Sequence, residues 1–169
     1  MDGDSIVSAV ILIVLLLGAF YFALCETAFA SVSRIRLKTA ADRGDHRAKR
    51  ALYVTEHFDK AISTLLIGTN IVHLAAASYV TVLVTRRWGV SAVTLSTVIT
   101  TLVVFFAGEM LPKSIAKKYS ERFSLGTAGS LCFFMRIFTP ISFVLTAISN
   151  AAAKLSRGDT VVSVTEDEL

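Results

Sequence analysis

Three apolar windows dominate the chain. Between Ser5 and Ser33 the only charged residue is Glu26, from Ala61 to Thr85 there is none, and from Trp88 to Pro112 the only one is Glu109. A bilayer-spanning helix needs roughly 20 predominantly apolar residues, and each window is long enough. The pattern predicts spans over residues 5–33, 61–85 and 90–111, with Pro112 breaking the third. A fourth apolar segment, 125–148, carries Arg136 near its middle and Pro140 soon after. A central arginine costs at least about 2.5 kcal/mol in a spanning helix. The segment is therefore expected at the inner interface, as a helix or broken pair with Arg136 reaching toward water. The fold class read from this pattern is an all-α integral membrane protein: three transmembrane helices plus juxtamembrane amphipathic helices.

Charge orients the spans. Residues 34–50 hold Arg34, Arg36, Lys38, Arg43, Arg47, Lys49 and Arg50 against Asp42 and Asp45, and Lys113, Lys117, Lys118 and Arg122 follow the third span. Two spans separate these stretches, so they share a side, and basic residues mark the cytoplasm. The reading is an inner or plasma membrane protein with its N-terminus outside and its C-terminus inside. Arg86 and Arg87 fall outside and are outnumbered. The start, Met1-Asp2-Gly3-Asp4, is acidic where a signal peptide is basic. The run 6–24 is also longer than a signal core, so a retained helix is preferred over cleavage near Ala28-Phe29-Ala30.

Composition adds exclusions. In 169 residues the apolar share is 54% and the net charge +4. Basic residues beside apolar runs speak for membrane orientation and against a nucleic-acid surface. Cys25 and Cys132 both lie in apolar stretches, with no CxxC or Cys/His framework for a disulfide scaffold or zinc finger. No GxxxxGK[ST] motif occurs, so the chain reads as a non-enzyme and any transport must draw on gradients. Lys154, Arg157, Gly158 and Asp159 read as a linker. Thr165 with Glu168 three residues on reads as a helix start. Residues 1–157 are thus expected to form the membrane domain, and 158–169 the linker to a further soluble domain.

The intramembrane polar residues carry the chemistry. An ionisable residue inside a span is expensive and marks a functional candidate. If helical, Glu26 lies roughly 12 Å from the basic edge at Arg34, Asn70 roughly 15 Å beyond Lys60, and Glu109 roughly 6 Å before Lys113. All three fall in the inner half of the bilayer. Thr69 and His73 share a helix face, and Asn70 lies close to it. Gly68 precedes this cluster and Gly108 precedes Glu109. Such glycine-interrupted segments suggest unwound carbonyls that can coordinate an ion. Carboxylate, amide, hydroxyl and carbonyl oxygens suit a hard cation such as Mg²⁺ or Na⁺. Blander readings stand beside this one. Asn70 and Thr69 can be interhelical glue, and His73 a satisfied polar residue. Cys25 can be a small buried hydrophobe. Glu26 can pair with a lysine, and Glu109 with Lys113 four residues on. The hydroxyls of Thr94, Ser96, Thr97, Thr100 and Thr101 usually bond their own helix.

Phe22-Ala23-Leu24-Cys25-Glu26-Thr27-Ala28, Leu66-Ile67-Gly68-Thr69-Asn70-Ile71-Val72 and Gly108-Glu109-Met110-Leu111-Pro112-Lys113 together resemble the membrane domain of the CNNM/CorC family of magnesium transporters. The ending Val164-Thr165-Glu166-Asp167-Glu168-Leu169 is similar to that family's lead into paired cytosolic CBS domains. The resemblance implies a homodimer of three-span protomers in the bilayer. It implies Mg²⁺ transport, as Na⁺-coupled export, with a dehydrated Mg²⁺ held among the spans. It places the family's third-span glutamate on Glu109, its asparagines on Thr69, Asn70 and His73, and its serine-rich motif on Ala23, Cys25 and Glu26. Ala23 and Cys25 stand where serine is frequent, and Thr69 and His73 where asparagine is. Cys25 and His73 bring softer donors that favour transition metals. Two further readings follow: a non-transporting anchor that senses Mg²⁺, and an exporter of a transition-metal cation.

Overall fold

The computed structural model describes residues 3–141, with side chains from residue 5 onward. The linker at 154–159, the helix start at Thr165 and residues 142–148 of the fourth apolar segment lie outside the described residues. Those described are helical and connected by turns. Helix α1 covers Gly3–Ser31. Two short helices follow, α2 (Arg34–Asp42) and α3 (His46–Glu56). The long α4 runs Phe58–Trp88. After a 3₁₀ turn at Val90–Ala92, α5 (Val93–Val103) passes through a π-helical stretch, Val104–Met110, into α6 (Leu111–Lys118). Helix α7 covers Ser120–Ile137.

Among the described residues, three helices are long and apolar enough to cross a membrane: Ser5–Ser31, Phe58–Trp88 and Val90–Lys118. The protein is therefore an all-α, multi-pass membrane domain. The second span is longer than its apolar window. Asp59 lies in its first turn and Arg86 and Arg87 in its last, where each charge complements the helix dipole. Gly89 then turns the chain at φ 82°, a conformation that costs glycine little.

The break expected at Pro112 does not occur. Pro112 sits in the first turn of α6, directly after the π-helical stretch. The widened turn before it accommodates the proline ring, and local π adjustment of this kind lets a spanning helix tolerate the missing N–H. The helix ends instead at Tyr119.

Packing concentrates at the end of the bundle nearest α2 and α3. Phe22, Cys25 and Phe29 of α1 meet Leu37 of α2, Ala51 and Val54 of α3, Ala61 and Leu65 of α4, and Ala128, Leu131 and Met135 of α7. The α7 contribution is a stripe, Ser124, Ala128, Leu131 and Met135, spaced to share one helix face. Arg136 lies off that stripe and is exposed. The described part of the fourth apolar segment is thus docked on this core by one face, and it is not among the span-length apolar helices. At the other end of the bundle Val10, Val14 and Leu17 of α1 and Leu95, Val98 and Leu102 of α5 are exposed. That is the surface expected of helices bathed in hydrocarbon, where apolar exposure carries no penalty.

Candidate cation site

Glu26 and Glu109 come from different spans and share one partner. The Lys113 Nζ lies 3.0 Å from Glu109 Oε1 and 3.3 Å from Glu26 Oε2. The Glu109–Lys113 pair follows from the helix repeat, since residues four apart are neighbours. The Glu26 contact requires the third span to approach α1 closely, and small residues allow it. A Cβ added at Gly108 would lie 3.1 Å from Ala19 Cβ and 3.4 Å from Leu16 Cδ1. Ala23 is buried four residues after Ala19 and three before Glu26, so it falls on the same α1 face.

The π-helical stretch holds both Gly108 and Glu109. A π turn shifts carbonyls out of the α register, and such turns are frequent at functional sites. The backbone at Gly108 is thus π-helical and still hydrogen-bonded within the helix, where the sequence suggests unwinding. At Gly68 unwinding is absent as well. Helix α4 is continuous there, and an added Cβ would sit 2.5 Å from Phe22 Cε1 and Cζ. Gly68 is glycine because an aromatic ring of α1 lies against the α4 backbone.

Beside Glu109, a cavity of about 380 Å³ opens between α4 and the third span, lined by Asn70, His73, Thr97, Thr100, Thr101 and Glu109 among others. Asn70, His73 and Glu109 are thereby brought to one space. His73 also borders a smaller, apolar cavity of about 220 Å³ against α1. Its Nε2 is buried and has no hydrogen-bond partner, contrary to the reading of a satisfied polar residue. Thr69 is half-buried and is not among the residues lining the cavity with Asn70. Cys25 is fully buried in the apolar core with Leu131 and Met135 of α7, as a small hydrophobe. No group of three or more His, Cys, Asp or Glu side chains placed to hold a metal occurs among the described residues. The site as it stands is two carboxylates around one ammonium, and Glu109 adjoins a largely apolar cavity into which Asn70 and several threonines also face.

From the sequence, Lys113 is a local partner of Glu109, and Glu26 can pair with a lysine. That one lysine serves both depends on how closely α1 and the third span pack. The span-three threonines were read as bonding their own helix. Thr97 does bond Val93 O, at 2.9 Å, yet it lines the cavity as well, with Thr100 and Thr101. A threonine every three to four residues beside an intramembrane glutamate was the available signal.

The model of the Cyclin M transmembrane N-terminal domain, CNNM, matches residues 10–169. The chain belongs to the CNNM transmembrane-domain family. Among its CNNM-type relatives, the UPF0053 inner membrane protein YfjD of Escherichia coli K12 is 32% identical over 145 residues, covering 85% of this chain and 34% of that protein. A UPF0053 protein of Haemophilus influenzae is 28% identical over 146 residues, 86% of this chain and 35% of the relative. The Polyamine export protein of Haemophilus influenzae is 29% identical over 164 residues, 89% of this chain and 38% of that protein. This CNNM chain thus spans roughly a third of the length of these relatives.

Proposed function

We propose that this CNNM domain is a secondary transporter that moves Mg²⁺ out of the cell by coupling to Na⁺ entry. One observation carries the reading: carboxylates from two separate spans converge on a single cation, and one of them, Glu109, lines a cavity that Asn70 and several threonines share with apolar residues. In the resting arrangement that cation is the Lys113 ammonium. Glu109 supplies the full negative charge that compensates for stripping water from Mg²⁺. Asn70 and carbonyls of the π-helical stretch around Gly108 add neutral oxygens, and Glu26 serves coupling and helix pairing. Entry of the transported ion releases Lys113 from the carboxylates, and its exit lets Lys113 return. Expelling a divalent ion against an inside-negative potential of about 100 mV costs about 4.6 kcal/mol, which Na⁺ entry offsets. The basic stretches 34–50 and 113–122 face the cytoplasm in this arrangement, and the chain works as a homodimer that continues into cytosolic CBS domains.

A second reading has its own support. The group already seated between Glu26 and Glu109 is an alkyl ammonium, and one relative is named a polyamine export protein. A linear polyamine presents the same group. The transition-metal reading loses a soft donor, because Cys25 packs in the core toward α7.

Flux through proteoliposomes containing this chain decides among these. Mg²⁺ efflux driven by a Na⁺ gradient, lost in Glu109→Gln, supports the first reading. Transport of spermidine but not Mg²⁺ supports the second. Mg²⁺ binding with no flux of either identifies a sensor or anchor, and preference for Mn²⁺ or Co²⁺ over Mg²⁺ identifies a transition-metal carrier.

A further inference from the structure

A further cavity, of about 500 Å³, lies between α3, the start of α4 and α7. Lys49, Arg50, Lys60 and Arg136 line it, with Tyr53 and Phe133 among the other lining residues. These four cations come from three helices, and among the described residues no aspartate or glutamate lines the cavity. Among the described residues none of the four forms an ion pair or a side-chain hydrogen bond: the ion pairs there are those of Arg36 with Glu121 and of Lys113 with Glu26 and Glu109. Arg50 lies close against α7: a Cβ added at Gly129 would lie 3.1 Å from a terminal nitrogen of its guanidinium.

Four like charges gathered without a counter-charge among the described residues repel one another, and an anion relieves that repulsion. Two features choose the kind of anion. Lys60 stands in the first turn of the second span, which puts the cavity at the membrane boundary. Beside the cations, Phe133 is 61% exposed and Tyr53 45% exposed, giving an aromatic wall next to the charged one. A small soluble anion uses only the charges, whereas a phospholipid uses both. Basic pockets between helices at the inner boundary suit lipid headgroups. We propose that this cavity binds an anionic phospholipid, its phosphate among Lys49, Arg50, Lys60 and Arg136 and its acyl chains along Phe133. The site is separate from the Glu26–Glu109–Lys113 cluster and does not depend on what is transported.

Native mass spectrometry of the delipidated full chain, titrated with phosphatidylglycerol or phosphatidylcholine, tests it. The wild type is expected to bind phosphatidylglycerol at least tenfold more tightly. Arg50→Gln/Lys60→Gln is expected to erase that preference, while Arg43→Gln/Arg47→Gln, which alters exposed cations outside the cavity, preserves it. Lys49→Gln/Arg136→Gln is the independent second variant, should the first lose its helical circular dichroism. Equal binding of the two lipids, or an unchanged preference in the folded cavity variants, overturns the proposal. So does displacement of the lipid by millimolar glycerol phosphate, which identifies a soluble-anion site. Displacement by a peptide of residues 160–169 also overturns it and identifies a site for an acidic segment.

Discussion

Replacing Lys113 with methionine keeps the length of the side chain and removes the charge that Glu26 and Glu109 share. The side chains of Lys113, Glu26 and Glu109 are 35%, 31% and 36% exposed. Ion pairs with that much exposure are worth about 0.2–1 kcal/mol each, so the two together hold Lys113 in place with about 0.4–2 kcal/mol. A transported cation must overcome that preference to reach the carboxylates. Without it, Mg²⁺ affinity rises by the same free energy, about twofold to thirtyfold at 1.4 kcal/mol per decade. The helix is retained, because Lys113 lies in the first turn of α6, where Pro112 already fixes the backbone. Isothermal titration of the detergent-solubilised variant with Mg²⁺ reads the change directly, with circular dichroism to verify the fold. Transport by Lys113→Met is expected to slow, since nothing then replaces the departing ion. An affinity equal to or weaker than that of the wild type, in a folded variant, refutes the displacement argument and leaves Lys113 as a structural tie between spans.

Gly68→Ala is expected to lower thermal stability by about 1–3 kcal/mol, the usual range for overpacking, because the new methyl enters the Phe22 ring. Phe22→Leu in the same chain should recover part of the loss, and a loss unaffected by the second change would place the strain elsewhere. Single cysteines introduced at Asp4 and Gly158 should label from opposite sides of the membrane; labelling of both from outside would revive 125–148 as a fourth span. Light scattering in mild detergent should report a dimer. Ala77 and Ser78 on α4 remain exposed and are small enough for close helix approach, while a monomer would contradict pairing.

The spans were legible because charge is so rare in them. Arg136 speaks in the sequence against a fourth span, but the docking of α7 on the core by one face was not legible from it. The meeting of Glu26 and Glu109 was legible only as shared depth. Which residue joined them turned on contacts at Ala19, Gly108 and Lys113 that no helical periodicity states. Proline and glycine misled in opposite ways. Pro112 read as a break but follows a π turn that absorbs it, and Gly68 read as a loosened backbone but is a packing surface for Phe22. Both errors come from the same source: an isolated glycine or proline reports a local demand, and only the neighbouring helix says whether that demand is conformational or steric. Cys25 and His73 look alike as soft donors in the sequence. One faces the core, and the other borders two cavities with a nitrogen left unpartnered.

Mg²⁺ titration of the wild type beside Glu109→Gln is the most direct test of the proposed site. The substitution keeps the side chain's shape and removes the one charge that lies both on the π-helical stretch and in the cavity with Asn70 and His73. Binding should be lost in Glu109→Gln with helical content unchanged. Asn70→Ala should weaken it less, because one neutral oxygen is removed, and Glu26→Gln should also cost less than Glu109→Gln. Mg²⁺ binding by folded Glu109→Gln with wild-type affinity would contradict the site, and would reduce the Glu109–Lys113 pair to an ordinary helix contact.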